Sequence, residues 1–340
     1  MKRLALIGGG AAVVLAATYF GLSAYSSKQA EKRLEDWVYD MELDDKLSWS
    51  SVSASPFGGS VSIAGLELDS GADEPALRIA KVTLSELVDS DERSQARLRF
   101  QGIEAGREAL SGLSSLSRMA GGNLGRAAHS FAPALNSGLM TLKPFDAELF
   151  VNVDDEDGSL ESEVFIGLPE MFDSRISYRL DNQRDLNRTL RRLPDDLAEA
   201  EGLYQVLAQL EALDESLKRA EIGRITLSIQ DRGMLARSIA LQQRYNTPLD
   251  PTAGDAEGQR QKHYERQVER GVKQCESDEL GRGLDNVCEL LEQVLLGKVD
   301  GVELNIAPDE PVRLLDLAKL DSPRAAKRLV ERLNPQLSSL

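Results

Sequence analysis

The chain has 340 residues, 41% of them apolar and 28% charged, a composition that folds as one large domain or two ordinary ones. Its 56 acidic residues against 40 basic ones give a net charge of −16, which argues against a nucleic-acid partner. Two His and two Cys are too few for a zinc site built from those residues alone.

Met1-Lys2-Arg3 precedes an uncharged run from Leu4 to Tyr25. As a helix that run would be about 33 Å long, against a hydrocarbon core of about 30 Å. Two readings compete, a cleaved signal peptide with its small residues near Gly21-Leu22-Ser23 and an uncleaved anchor. The run exceeds the usual signal-peptide core. The chain then continues in helical register through Leu34, Trp37, Val38 and Met41, and both features favour the anchor. The expected arrangement is a transmembrane anchor over 1–25, inserted in the inner membrane through residues 4–25, and a helical stalk over 26–47. The short basic tail would stay in the cytoplasm and the bulk of the chain would lie in the periplasm.

Residues 48–182 read as a strand-rich periplasmic domain. Val61 and Ile63 alternate, Gly65 interrupts, and Leu66 and Leu68 resume on the opposite parity, the pattern of a glycine bulge. Further strands are predicted at Leu77–Leu84, Ala96–Ile103, Ala147–Val153, Leu160–Ile166 and Arg175–Leu180. Asp154-Asp155-Glu156-Asp157-Gly158 reads as a hairpin turn between two of them. Within this domain, residues 109–145 carry no acid, and Leu110, Leu113, Leu116 and Met119 recur every three residues among Ser, Gly and Ala. A small-residue helical pair lying on the sheet accounts for this pattern. An amphipathic surface touching lipid, with those four residues as its contacts, is the sharper reading.

Residues 183–340 read as a helix-rich region. Leucines at 186, 190 and 193 mark one helix, and Pro194-Asp195-Asp196 opens a second. Strands are predicted at Arg224–Gln230 and Val299–Ile306. After Pro311 the spacing predicts a helical tail. The fold expected is therefore α+β: an N-terminal transmembrane helix, an antiparallel strand meander, then a mainly helical second half.

Catalytic signatures are sparse. The chain contains no G-x-S-x-G, no Ser followed three residues later by Lys, no HExxH and no Walker loop. His129 and His263 read as surface or locally satisfied imidazoles. An EF-hand loop closing on the 154–158 acids would need acids where Val153 and Val164 stand. No enzyme activity, cofactor or metal is expected. Cys275 and Cys288, the only cysteines, flank a Gly281-Arg282-Gly283 turn, and an even pair in an exported domain predicts a disulfide.

The phrase Trp49-Ser50-Ser51-Val52, Pro56-Phe57-Gly58-Gly59-Ser60-Val61-Ser62-Ile63 and Gly65-Leu66-Glu67-Leu68, following one membrane helix, resembles the opening of AsmA-like and YdgA-like bacterial envelope proteins. Leu77-Arg78-Ile79 and Val82-Thr83-Leu84 are similar to their next strand, and the resemblance covers residues 1–105. It implies an anchored strand meander and, in the large AsmA-like members, movement or shielding of lipid along an apolar β-groove. The functional expectation is a non-enzymatic role in envelope maintenance, with lipid as a ligand. The alternative is a membrane-tethered scaffold that binds another envelope protein.

Overall fold

The computed structural model describes residues 27–40, 46–55, 59–69, 77–90, 92–105, 143–184, 219–277, 286–318 and 323–340. Twelve strands form one sheet: β1 (Leu47–Ser48), β2 (Ser51–Ala54), β3 (Ser60–Leu68), β4 (Leu77–Asp89), β5 (Arg93–Ala105), β6 (Phe145–Asp154), β7 (Ser159–Leu168), β8 (Phe172–Asp181), β9 (Glu221–Asp231), β10 (Gly301–Ile306), β11 (Val312–Arg313) and β12 (Pro335–Ser339). From β3 to β10 each strand pairs antiparallel with its successor in sequence. β1 and β2 both pair with β3 at one edge, β12 follows β10 at the other, and β11 adds to the end of β9.

This corrects the expected fold class. The meander does not stop near residue 182 and give way to a mainly helical half: β9, β10, β11 and β12 all belong to the same sheet. The helices are appended to that sheet: α1 (Ser27–Asp40), α2 (Met234–Asn246), α3 (Ala256–Ser277), α4 (Val287–Leu295), α5 (Leu314–Ala318) and α6 (Pro323–Leu333). The expected helical tail ends in a strand whose first residue is Pro335, a position where the missing N–H does not interrupt a ladder. Among the described residues no helix is long and apolar enough to cross a membrane, and the expected span over 4–25 lies outside the described residues.

The core begins where α1 lays Leu34 and Val38 against β2 and its neighbours, with Val52, Ile63, Leu84 and Leu98 in the same cluster. Here the strand alternation skips a step. On β3 the buried positions are Ile63 and then Leu66, on β4 Ile79 and then Val82, and on β5 Leu98 and then Ile103. The three skips coincide, because Gly65 stands opposite Ala80 and Ala80 opposite Gly102. Both glycines have left-handed backbones, φ +61° and φ +64°. A Cβ on Gly65 would stand 2.3 Å from Ser50 Oγ, and one on Gly102 would stand 2.9 Å from the Ala80 Cβ. The sheet is therefore creased along one row, and β3, β4 and β5 keep the same register on either side of it. At β6 the crease ends as a register shift, where the Gly102 N–H donates to Asp146 Oδ1 at 2.8 Å. Gly102→Ala should destabilise the fold by about 1–3 kcal/mol, since it adds both backbone strain and a clash. Urea denaturation of the variant beside the parent protein measures this.

Cys275, near the end of α3, is bonded to Cys288 at the start of α4, with the two Cα atoms 5.8 Å apart. The Tyr264 hydroxyl donates to the Leu295 carbonyl at 2.9 Å and ties the same two helices together further along. In the chain-entropy model, closing this loop contributes about 3 kcal/mol. Thiol alkylation of the unfolded, unreduced protein should label neither cysteine, and prior reduction should expose both and lower stability by about that amount.

Candidate functional site

Direct opposition in register places side chains of neighbouring strands on one face, so the pairing determines which residues line each side of the sheet. One row begins with Val61, Leu84, Leu98 and Leu149 on β3 to β6. It continues without a polar residue through Val164, Ile176, Leu227, Leu304 and Leu337, to the last strand. At the strand spacing of a sheet these nine residues span about 38 Å. The row above adds Phe100, Ala147, Ile166, Ile229 and Val302, broken only by Ser174 before its end at Ser339.

Cover along this face is uneven. Leu84 and Leu98, in the α1 cluster, are 2% and 3% exposed, whereas Ile176 in the same row is 41% exposed and Ile166 beside it 38%. At one end of the face Val153, Leu160 and Leu180 are buried with Ala220, against Leu314 of α5. Next to them Leu329 and Leu333 of α6 close over Ile222 and Val312. The middle of β7 and β8 is thus an apolar surface open to a ligand, bounded by covered core on two sides. Such a surface can hold hydrocarbon.

The opposite face carries charges, several of them in ion pairs. Arg97 bonds Glu148 and, at 2.7 Å, Glu86, while Arg99 reaches the second oxygen of Glu148 at 2.7 Å. Arg175 bonds Glu163. Arg179 gathers Asp181, Glu161 and Asp157 at 2.9, 2.8 and 3.0 Å. Arg97 also lies over the Phe150 ring, 4.6 Å from its centroid, and Arg175 over Phe165 at 5.3 Å, so these aromatic rings on the charged face are covered by guanidinium groups. Burial works to raise the Glu148 pKa, but the bonds from Arg99 and Arg97 outweigh it and hold the carboxyl below its ordinary range.

Of the residues singled out in the sequence, Cys275 and Cys288 come together. Leu110, Leu113, Leu116, Met119 and His129 lie outside the described residues. His263 shares a hydrogen bond of 3.0 Å with Gln267 on its own helix. The 154–158 acids form the expected turn. Asp154 Oδ1 accepts from the Glu156 and Asp157 N–H groups, and Asp157 accepts from the Ser159 N–H and pairs with Arg179. Among the described residues no group of three or more His, Cys, Asp or Glu side chains is placed to hold a metal ion. Ile166 and Ile176 were not singled out in the sequence as exposed apolar residues. Their alternation was visible strand by strand, but only the register brings them into one surface.

No protein-family model matches the chain, and comparison with curated proteins returned no match.

Glu148→Gln should cost about 1–2 kcal/mol at pH 7, because two guanidinium groups lose their shared anion. A carboxylate with a depressed folded-state pKa contributes stability above its unfolded value, near 4.3, and loses it as the pH falls through the folded value. The gap between parent and variant should therefore be full at neutral pH and close under acid. Denaturant midpoints measured from pH 7 down to pH 3 test the sign.

Proposed function

We propose that this protein is a membrane-anchored periplasmic component of the bacterial cell envelope. It has a non-enzymatic role in envelope maintenance, and handles lipid by holding acyl chain against the open apolar face of its sheet. The observation that carries this reading is the contrast along one register row, with Leu84 and Leu98 sealed and Ile176 left 41% exposed. An exposed apolar surface of this kind, continuous with a core, marks a place that something apolar covers. Burying about eight methylene groups there would contribute about 6 kcal/mol, a hold firm enough to shield a chain and weak enough to release it.

The disulfide supports the compartment, since such bonds persist outside the reducing cytosol. The uncharged run from Leu4 to Tyr25 supports the anchor, and the twelve-stranded antiparallel sheet agrees with the strand meander that the AsmA-like resemblance implies. The orientation proposed has the N-terminus in the cytoplasm and the sheet in the periplasm.

A photoactivatable residue at position 176 should crosslink to lipid in intact cells. The same residue at position 177, on the charged face, should not. Crosslinks from position 176 to protein alone would replace this reading with the scaffold that binds another envelope protein.

A further inference from the structure

The middle of α3 is a basic stretch in an acidic chain. From Arg260 to Lys273 it carries five cations against two carboxylates, in a protein whose net charge is −16. Four of the cations, Lys262, Arg266, Arg270 and Lys273, follow a spacing of four, four and three, so they stand in one row along the helix over about 16 Å. All four are exposed. Tyr264 and Val268 are buried on the other side of the helix, and Cys275 is bonded to α4.

None of the four forms an ion pair with a described residue; Glu265, Glu269 and Glu276 lie along the edge of the row without bonding it. The Nε–H groups of Arg266 and Arg270 donate to the carbonyls of Lys262 and Arg266, at 3.1 and 3.2 Å, which leaves their outer nitrogens facing solvent. The contrast with the sheet is direct, because Arg78, Arg97, Arg99, Arg175 and Arg179 each bond a carboxylate. Like charges four residues apart also weaken a helix, and Lys262–Arg266–Arg270 contains two such pairs in succession.

We infer that the row Lys262–Arg266–Arg270–Lys273 docks on the anionic headgroups of a bilayer. Its charge is complementary to an anionic surface, and a flat row of long cationic side chains suits a plane of phosphates better than a pocket. The choice of a membrane over an acidic polypeptide rests on the anchored reading, in which Ser27 enters α1 directly and the folded body is held at the bilayer. α1 packs at the β2 edge, and α3 is inserted between β9 and β10 towards the opposite edge. Anchor and row together would therefore fix how the sheet, with its open apolar face, is presented to the membrane. Each cation near an anionic surface strengthens binding about fivefold.

The full chain is reconstituted in nanodiscs of phosphatidylcholine, with or without phosphatidylglycerol, and its lysines are acylated and mapped by mass spectrometry. Lys262 and Lys273 should label several-fold more slowly in the anionic discs than in the neutral ones, with the difference lost at high salt and Lys81 of the sheet unchanged. The exposed double variant Arg266→Gln/Arg270→Gln should abolish the protection while retaining the Cys275–Cys288 bond. Equal labelling in both discs overturns the proposal, and so does equal protection by soluble polyglutamate, which would assign the row to an acidic polypeptide. Co-purification with neutral discs reads the anchor separately, and the position-176 crosslink reads the acyl site separately.

Discussion

Everything in this structure depends on one-to-one antiparallel register held across consecutive strands. A slip of one residue would exchange the two faces of a strand. It would bring Arg175 of β8 between Val164 and Leu227 on the apolar face, and would turn Ile176 towards the charged side. The penalty is large on both sides of the sheet, because a guanidinium moved onto an apolar face loses its carboxylate as well as its water. Surface ion pairs contribute little to stability one at a time. Here they act chiefly as register marks: Arg99 with Glu148 and Arg179 with Glu161 each join directly opposed residues of neighbouring strands.

The crease at Gly65, Ala80 and Gly102 shows how the same constraint tolerates an exception. A strand that skips one step of alternation on its own must bulge against its neighbour. Three strands that skip at one row lose the pairing of that row alone and resume the same register beyond it, and the register shifts at the β5–β6 boundary, where the Asp146 side chain takes up the Gly102 N–H. The row tolerates little side-chain volume, with Ala80 between the two glycines and a serine hydroxyl close to the space beside Gly65. Beyond the crease Leu66, Ile79 and Ile103 return to the same core as Ile63, Val82 and Leu98, so α1 can seal this edge.

Much of this was legible in the sequence because alternation is a local signal. The strands at Leu77–Leu84, Ala96–Ile103, Ala147–Val153, Leu160–Ile166, Arg175–Leu180 and Arg224–Gln230 were all readable, as were the parity change at Gly65 and the hairpin at Asp154–Gly158. The second half was misjudged. β11 is two residues long, and β12 begins with proline and holds a single large apolar side chain, Leu337, so neither has enough period to register beside leucine-rich helical spacing. What joins them to the sheet is pairing with β9 and β10 over long separations in sequence, which no local pattern encodes. The open apolar surface was hidden for the same reason, since Ile166, Ile176 and Leu227 lie on three strands. The basic row of α3 was legible in principle, as Lys262, Arg266, Arg270 and Lys273 have helical spacing. Its significance came only with the finding that five arginines of the sheet bond carboxylates, whereas these four form no ion pair with a described residue.

The two proposed lipid contacts use different physics, and this allows them to act together. Hydrocarbon on Ile166 and Ile176 is held by area removed from water, a term that salt does not screen. The row on α3 acts through charge and decays within about 8 Å of the headgroups at physiological ionic strength. The first selects for acyl chain with little regard to headgroup, and the second selects for an anionic surface with little regard to chain. A body tethered beside the bilayer already meets headgroups at high effective concentration, so a few unpaired cations suffice to orient it. Orientation is what the apolar face requires, because among the described residues its open part lies at the middle of β7 and β8, between a core sealed by α1 and an end closed by α5 and α6. A sheet free to turn would present its charged face as often as its apolar one. The two proposed points of attachment, near opposite edges, would give the exposed isoleucines a fixed position relative to the lipid they are proposed to hold.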